Sequence, residues 1–337
     1  MRLVDYSNVI PKHLRVPDEK KSWMTLLRCV FLIVLTQYLL FMLPDSVWYA
    51  PVYAALIFFS GLSLVGLFVL VHDCGHYSFS KSRVLNDLVG FFAFIPMLNS
   101  FYAWRKAHDF HHRNNQVRKV DPDWPELLYT EKENVPFHEK LAVRLGPGSF
   151  TGLLIGFWVG MLKRSLFSFM IPQMKMRFSD KLKLYVQNTV SALLSFAFIY
   201  WYADLLGTMK FLVIFGGPVL IATTTGAFLT FIQHTHPGSF VFDRDHYDSV
   251  LSQIHSTVNV RFPRLFEWLW LDINIHLPHH VIAAIPWYNL KAANEELKKH
   301  FGNDVREVNF SWRMMKSCWK ATELRPVREG VYVLAER

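Results

Sequence analysis

Two pairs of apolar runs, each long enough to cross a bilayer, constrain this chain more than any other feature. The first run, from Met24 to Leu43, reads MTLLRCVFLIVLTQYLLFML, and the second extends from Val47 to Val71. Two more follow late in the sequence, Leu184–Leu206 and Met209–Ile232. A helix needs ~20 largely apolar residues to traverse the hydrocarbon core, and each run reaches that length. The late pair carries isolated polar residues, among them Gln187 and the cluster Thr223, Thr224 and Thr225. A threonine in a span either bonds backbone or a neighbouring helix, or lines a cavity. The expectation is an all-α integral membrane protein with four transmembrane helices.

Charge gives the orientation. The residues before Met24 include Lys12, Arg15, Lys20 and Lys21 but no small-residue cleavage site, so the first run reads as a retained anchor rather than a removed signal peptide. The links LPDSVWYA and DLLGT, which join the members of each pair, contain no Lys or Arg. The central segment instead holds Lys81, Arg83, Arg105, Lys106, Arg113, Arg118, Lys119, Lys163, Arg164, Lys175 and Arg177. The positive-inside rule then puts the N-terminus, the centre and the C-terminal region together on the cytoplasmic side. The chain divides into an N-terminal cytosolic segment (1–23), a first hairpin (24–71), a cap segment (72–183), a second hairpin (184–232) and a cap with tail (233–337), all within one domain. Two apolar but short or interrupted stretches of the centre, 88–104 and 150–162, read as helices lying in the interface or tucked against the spans. NLKAANEELKKHFG (289–302) reads as a soluble helix stopping at Gly302. With 36 basic against 27 acidic residues the formal charge is +9. Beside a membrane, that excess suits anionic lipid or an acidic protein partner better than nucleic acid. Cys29, Cys74 and Cys318 form no CxxC pair and no disulfide framework, which fits a reducing face.

Of 15 histidines, eight fall into three short clusters. HDCGH supplies His72 and His76, HDFHH supplies His108, His111 and His112, and HLPHH supplies His276, His279 and His280. Positions i, i+3 and i+4 share one face of a helix. His72 follows directly on the second span and His234, in FIQHTH, on the fourth, so four spans deliver every cluster to one membrane face. Three spans would strand the last cluster on the opposite side. His236 competes with His234, being two residues on. His13, His138, His246, His255 and His300 stand singly and read as surface or packing residues.

Imidazole suits zinc, copper, iron and nickel. Zinc takes about four ligands, and eight or nine histidines exceed one such site. They suit two ions with positions left open for oxygen or water, and two irons with mainly histidine ligands is the favoured reading. Asp73, Asp109 and Asp272 sit in or beside the clusters, where a carboxylate accepts the free ring N–H of a ligating imidazole. Asn274 is placed to reach a metal through water.

These residues resemble the integral-membrane fatty acid desaturases. The likeness runs in order from HDCGHYSFSKSRVLNDLVG through WRKAHDFHH and FIQHTH to DINIHLPHHVIAAIPWYNL, roughly residues 50–300. The last motif is most similar to bacterial acyl-lipid desaturases acting at Δ12. The resemblance implies four spanning helices under a cytosolic cap, a non-haem di-iron centre and a buried acyl channel. It also implies molecular oxygen and two electrons from a reduced partner such as ferredoxin. It carries the metal ligands onto His72, His76, His108, His111, His112, His276, His279 and His280, with His234 as the additional one. One departure is Thr230, where some relatives have an Asn four residues before that additional ligand.

The chemistry agrees with the likeness. A methylene in mid-chain has no acidic proton and no adjacent carbonyl, so acid–base groups cannot remove its hydrogens. A redox metal supplies that chemistry, and the protein fixes geometry and substrate position. Channel depth would then set the double-bond position. A hydroxylase, an acetylenase or a carrier-protein-linked desaturase uses the same metal site and stays open at this stage. A membrane metal transporter or sensor predicts ionisable residues along the interior of the spans, which are nearly free of them.

Overall fold

The computed structural model describes residues 1–122 and 176–336. The expected interfacial helix at 150–162, and Lys163, Arg164, Lys175 and His138, lie outside the described residues. Among the described residues, four helices are long and apolar enough to cross a membrane. They are α2 (Glu19–Met42), α3 (Ala50–Gly75), α6 (Phe178–Leu206) and α7 (Thr208–His234). Helices α2 and α6 begin several residues before their apolar runs, and α3 and α7 end a few residues after theirs. Asp18 starts α2 by accepting the Lys21 N–H, which satisfies one of the donors a helix start leaves open. Gly207, at φ 75°, is the whole connection between α6 and α7; only glycine takes that conformation without strain.

The central helix is α3, which packs along both α2 and α7. Its most apolar stretch is 61% buried, against 17% for α2 and 11% for α6. The two peripheral spans present Phe31, Val34, Leu193, Phe196 and Trp201 outward, as lipid contact requires. Close approach of α3 to α7 depends on Gly61, where an added Cβ would lie 2.5 Å from Cβ of Ile221.

The apolar stretch at 88–104 is sharply bent rather than one straight helix, and it packs against the long helices, the second of the two expected placements. It forms the end of α4 (Arg83–Phe94), a turn over Ile95–Met97 and the start of α5 (Phe101–Asn114), the pair bent by 103°. Pro96 and left-handed Leu98 (φ 57°) make the break. Ser195 on α6 secures it by donating to the Ile95 carbonyl at 3.2 Å, and Ser100 bonds Asn188 on the same span.

The remaining elements pack outside the four long helices. Helix α1 (Leu3–Val9) folds onto α9 (Leu277–Val281) and α10 (Leu290–Phe301) around Tyr6, Ile10, Ile275, Leu277 and Leu297. The expected stop at Gly302 is present, although that glycine keeps helical angles. Helix α8 (Arg264–Leu269) lies against α3. Among the described residues the fold is mostly helical, as expected, with two small sheets that the hydrophobic pattern did not announce. Strand β2 (Asn259–Arg261) pairs parallel with β3 (Glu307–Asn309), and β4 (Ala321–Arg328) and β5 (Val331–Glu336) form a hairpin after α11 (Trp312–Lys320). Strand β1 (Phe240–Phe242) joins that hairpin through β5, with Phe240 opposite Val333. It also grips the chain leaving α5: Arg118 donates to the Phe242 carbonyl at 2.8 Å, and the Phe242 N–H to that of Gln116 at 3.0 Å.

Candidate metal centre

Four elements converge at one end of the bundle. His72 lies on the last turn of α3, and His76 caps that helix with its N–H on the His72 and Asp73 carbonyls. The three histidines of the second cluster occupy consecutive turns of α5. His234 is the last residue of α7. The third cluster occupies the five-residue helix α9, begun by Pro278 in its first turn, with His276 at the N-cap and His279 and His280 within. The Asn259 side chain accepts the Leu277 N–H at 2.8 Å, satisfying a donor at that short helix's start.

All nine expected histidines meet there, sorted into two groups. His72, His76, His108, His112 and His279 form the first, and His111, His234 and His280 the second. His276 joins the second through Nε2 contacts of 3.2 Å to His234 and 3.1 Å to His280. In the first group the Nε2 atoms of His72 and His108 are 2.9 Å apart, those of His108 and His112 3.2 Å, and those of His112 and His279 2.9 Å. Adjacent residues feed opposite groups: His111 and His112 diverge by one helical step, as do His279 and His280. The groups therefore adjoin, with the rings of His112 and His280 4.6 Å apart between centroids.

The arrangement fits a pair of cations. Imidazole nitrogens ligate a transition metal at ~2.1 Å, so two ligands at right angles stand ~3.0 Å apart, close to the spacings found. The Nε2 of His76 is buried without a hydrogen-bond partner, an arrangement that is costly unless something takes its lone pair. Burial, reinforced by the neighbouring imidazoles, pushes His108, His112, His276, His279 and His280 well below the usual histidine range. These rings stay neutral at physiological pH, the state a metal ligand needs.

Two of the three expected carboxylates face their imidazoles, at distances longer than a hydrogen bond. Oδ1 of Asp73 stands 3.9 Å from Nδ1 of His72, while its Oδ2 accepts the Trp287 N–H at 3.0 Å. Asp109 is 4.0 Å from Nδ1 of His76. Asp272 turns away from the cluster because Leu271 and Asp272 are both left-handed (φ 54° each), and its carboxylate meets Lys291 at 2.6 Å. Asn274 is consumed by structure. Its Oδ1 accepts from Trp270 Nε1 at 3.0 Å, and its Nδ2 donates to the Val260 carbonyl and to the buried Glu267. His236 stands outside both groups, its Nδ1 accepting from Arg306 at 2.8 Å.

Two groups that the sequence did not single out do support these histidines. The buried carboxylate of Asp121 lies 2.8 Å from Nδ1 of His111 and accepts the Gln116 N–H at 2.9 Å. Gln116 in turn donates from its side chain to the His234 carbonyl at 2.7 Å. Gln253 accepts from Nδ1 of His280 at 2.7 Å. Asp121 lies nine positions beyond the HDFHH cluster and carries no spacing signature, and Gln253 carries none at all.

A mostly apolar cavity runs from the histidines into the bundle. Leu64, Val65, Phe68 and Val69 of α3 face Val219, Ala222, Gly226 and Leu229 of α7, with Phe94 and Met97 of the bend on one side. Its histidine end touches both groups, through His72 and His108 of one and His111, His234 and His276 of the other. Thr223 lines it while its hydroxyl bonds the Val219 carbonyl at 2.8 Å; Thr224 bonds Leu220 and does not line it. Thr230 lines it as well, its hydroxyl turned to the Gly226 carbonyl. From Val219 to His234 the wall of α7 is ~22 Å long at the rise of an α-helix. A slot of that shape suits an extended hydrocarbon chain.

Comparison with known proteins agrees with this geometry. The family model described as "Fatty acid desaturase" matches residues 46–312. The chain is 31% identical over 318 residues to an sn-1 oleoyl-lipid 12-desaturase of a Synechocystis strain, covering 94% of this chain and 87% of the relative. A Picosynechococcus protein of the same name is 31% identical over 327 residues, 96% and 90% of the two chains. A chloroplastic omega-6 fatty acid desaturase from Glycine max is 29% identical over 318 residues, 94% and 71%.

Proposed function

The chain belongs to the fatty acid desaturase family, and from that premise we propose that it desaturates a membrane-lipid acyl chain at Δ12. The observation that carries the reading is the apolar cavity ending against both histidine groups. Such a slot presents one methylene pair of a threaded chain to the centre and leaves the rest in a hydrocarbon environment. Its relatives named as oleoyl-lipid 12-desaturases support that position.

In this reading His72, His76, His108, His112 and His279 hold one iron, and His111, His234, His276 and His280 hold the other. When bound, the pair supplies the oxidising power, drawn from molecular oxygen and two electrons, that an unactivated methylene requires. The work of the chain itself is positional. Leu64, Phe68, Ala222 and Leu229 grip the acyl chain and exclude water. Buried neutral imidazoles keep the centre free of competing protons. The length of cavity beyond the histidines fixes which carbons lie opposite them.

The basic excess of the polar face suits an acidic electron carrier of the ferredoxin type, and the charge bias of the loops supports an active site and both termini on the cytoplasmic side. Expression in a host that makes oleoyl lipids but no dienoic chains tests the proposal. New chains carrying a second double bond at Δ12 are expected. Hydroxylated or triple-bonded chains, or an unchanged profile from an iron-loaded protein, contradict it.

A further inference from the structure

Gln253 touches both histidine groups at once. It sits in a π-turn, Leu251–His255, an element frequent at functional sites, and its side chain is almost wholly buried. Its amide makes three hydrogen bonds. Nε2 donates to the His112 carbonyl at 2.6 Å and to the Tyr247 hydroxyl at 2.9 Å, and Oε1 faces Nδ1 of His280 at 2.7 Å. His112 belongs to the first group and His280 to the second.

These contacts leave no freedom in the proton arrangement. A backbone carbonyl only accepts, so the amide nitrogen must face His112. The amide oxygen then faces His280, and the hydrogen between them sits on the imidazole Nδ1. The Nε2 lone pair of His280 is thereby exposed toward Nε2 of His276, 3.1 Å away. A flipped amide would set two acceptors against each other at His112. The turn itself is fastened to the end of α5, with Asn115 donating to the Ser252 carbonyl at 3.0 Å and Ser252 donating back at 2.7 Å.

Building on the di-iron reading, we propose that Gln253 is the positioning residue that fixes the tautomer of His280 and holds the second metal group in register with the α5 ligands of the first. Loss of such a partner typically costs ~10–100-fold in metal affinity. Because Gln253 reaches the ring only of His280, the loss falls on one ion and spares the other.

Iron retention by purified full-length protein, titrated with a chelator and read as iron per chain, tests this without reference to turnover. Gln253→Met keeps the length and removes every hydrogen bond; it should release one iron ~10–100-fold more readily than wild type and keep the other. Gln253→Glu restores an acceptor for His280 but not the donor to His112, and should hold that iron within ~10-fold of wild type. A Met variant with wild-type retention of both irons overturns the proposal, and so does a Glu variant no better than Met. If the Met variant does not fold, the Glu variant decides by the same criterion. Wild-type protein that binds no iron overturns the di-iron reading itself, and this proposal with it; two irons lost together from the variants overturn only the role of Gln253.

Discussion

Nδ1 of His111 lies 2.8 Å from Oδ1 of Asp121, and both side chains are buried, at 3% and 1% exposure. A carboxylate so deeply placed is costly unless its oxygens are occupied, and here the second oxygen accepts the Gln116 N–H. The pair turns the other nitrogen of His111 toward His234 and His280. It also links the loop after α5 to the end of α7, since Gln116 reaches the His234 carbonyl.

Asp121→Ala should therefore weaken iron binding ~10–100-fold and destabilise the protein by about 1–3 kcal/mol through the unsatisfied Gln116 N–H. Iron per chain after chelation, with a thermal unfolding curve beside it, checks both. Asp121→Asn should lose less, because the amide oxygen still accepts from His111.

One histidine from each group gives a paired comparison. His279→Ala and His111→Ala should each abolish product while the protein remains membrane-inserted. Lipid profiles of the expressing host, with immunoblots of the membrane fraction, decide this. Retained turnover in either variant removes that residue from the centre.

The cavity wall makes a separate prediction. Gly226→Leu on α7 inserts a side chain into the slot away from the metal groups. Turnover of an oleoyl chain should fall at least ~10-fold, with iron content unchanged, if the slot carries substrate. Equal losses of iron and turnover would instead mean that the substitution disturbs the centre.

Acid should destabilise the metal-free protein. The depressed histidines bind no proton in the folded state, while in the unfolded chain they take one up near pH ~6.5. Their burial is without penalty from ionisation above that pH, and stability is lost progressively as pH falls below it. The unfolding temperature should drop between pH ~7.5 and ~5.5, and bound metal should shift the loss to lower pH. A flat or rising profile contradicts the neutral, buried state of these rings.

Much of this architecture is legible in the sequence because its signals are local. Apolar length marks α2, α3, α6 and α7, and i, i+3, i+4 spacing marks the clustered histidines on α5. What escaped depends on contacts between distant segments. Asp272 adjoins the third cluster in sequence, yet two consecutive left-handed residues turn it to Lys291. Asp121 and Gln253 reach their imidazoles only because β1 grips the loop after α5 and Asn115 bonds the π-turn. The strands near the C-terminus are short and partly exposed, so no clean alternation announces them.

The central claim is that imidazoles from four separate elements hold two irons side by side. Iron analysis of the purified, full-length protein, combined with Mössbauer spectra of ⁵⁷Fe-loaded material, tests it most directly. The account predicts close to two irons per chain in nitrogen-rich surroundings, with His279→Ala and His111→Ala each lowering the count. A fully active preparation containing one iron, or zinc alone, would contradict it.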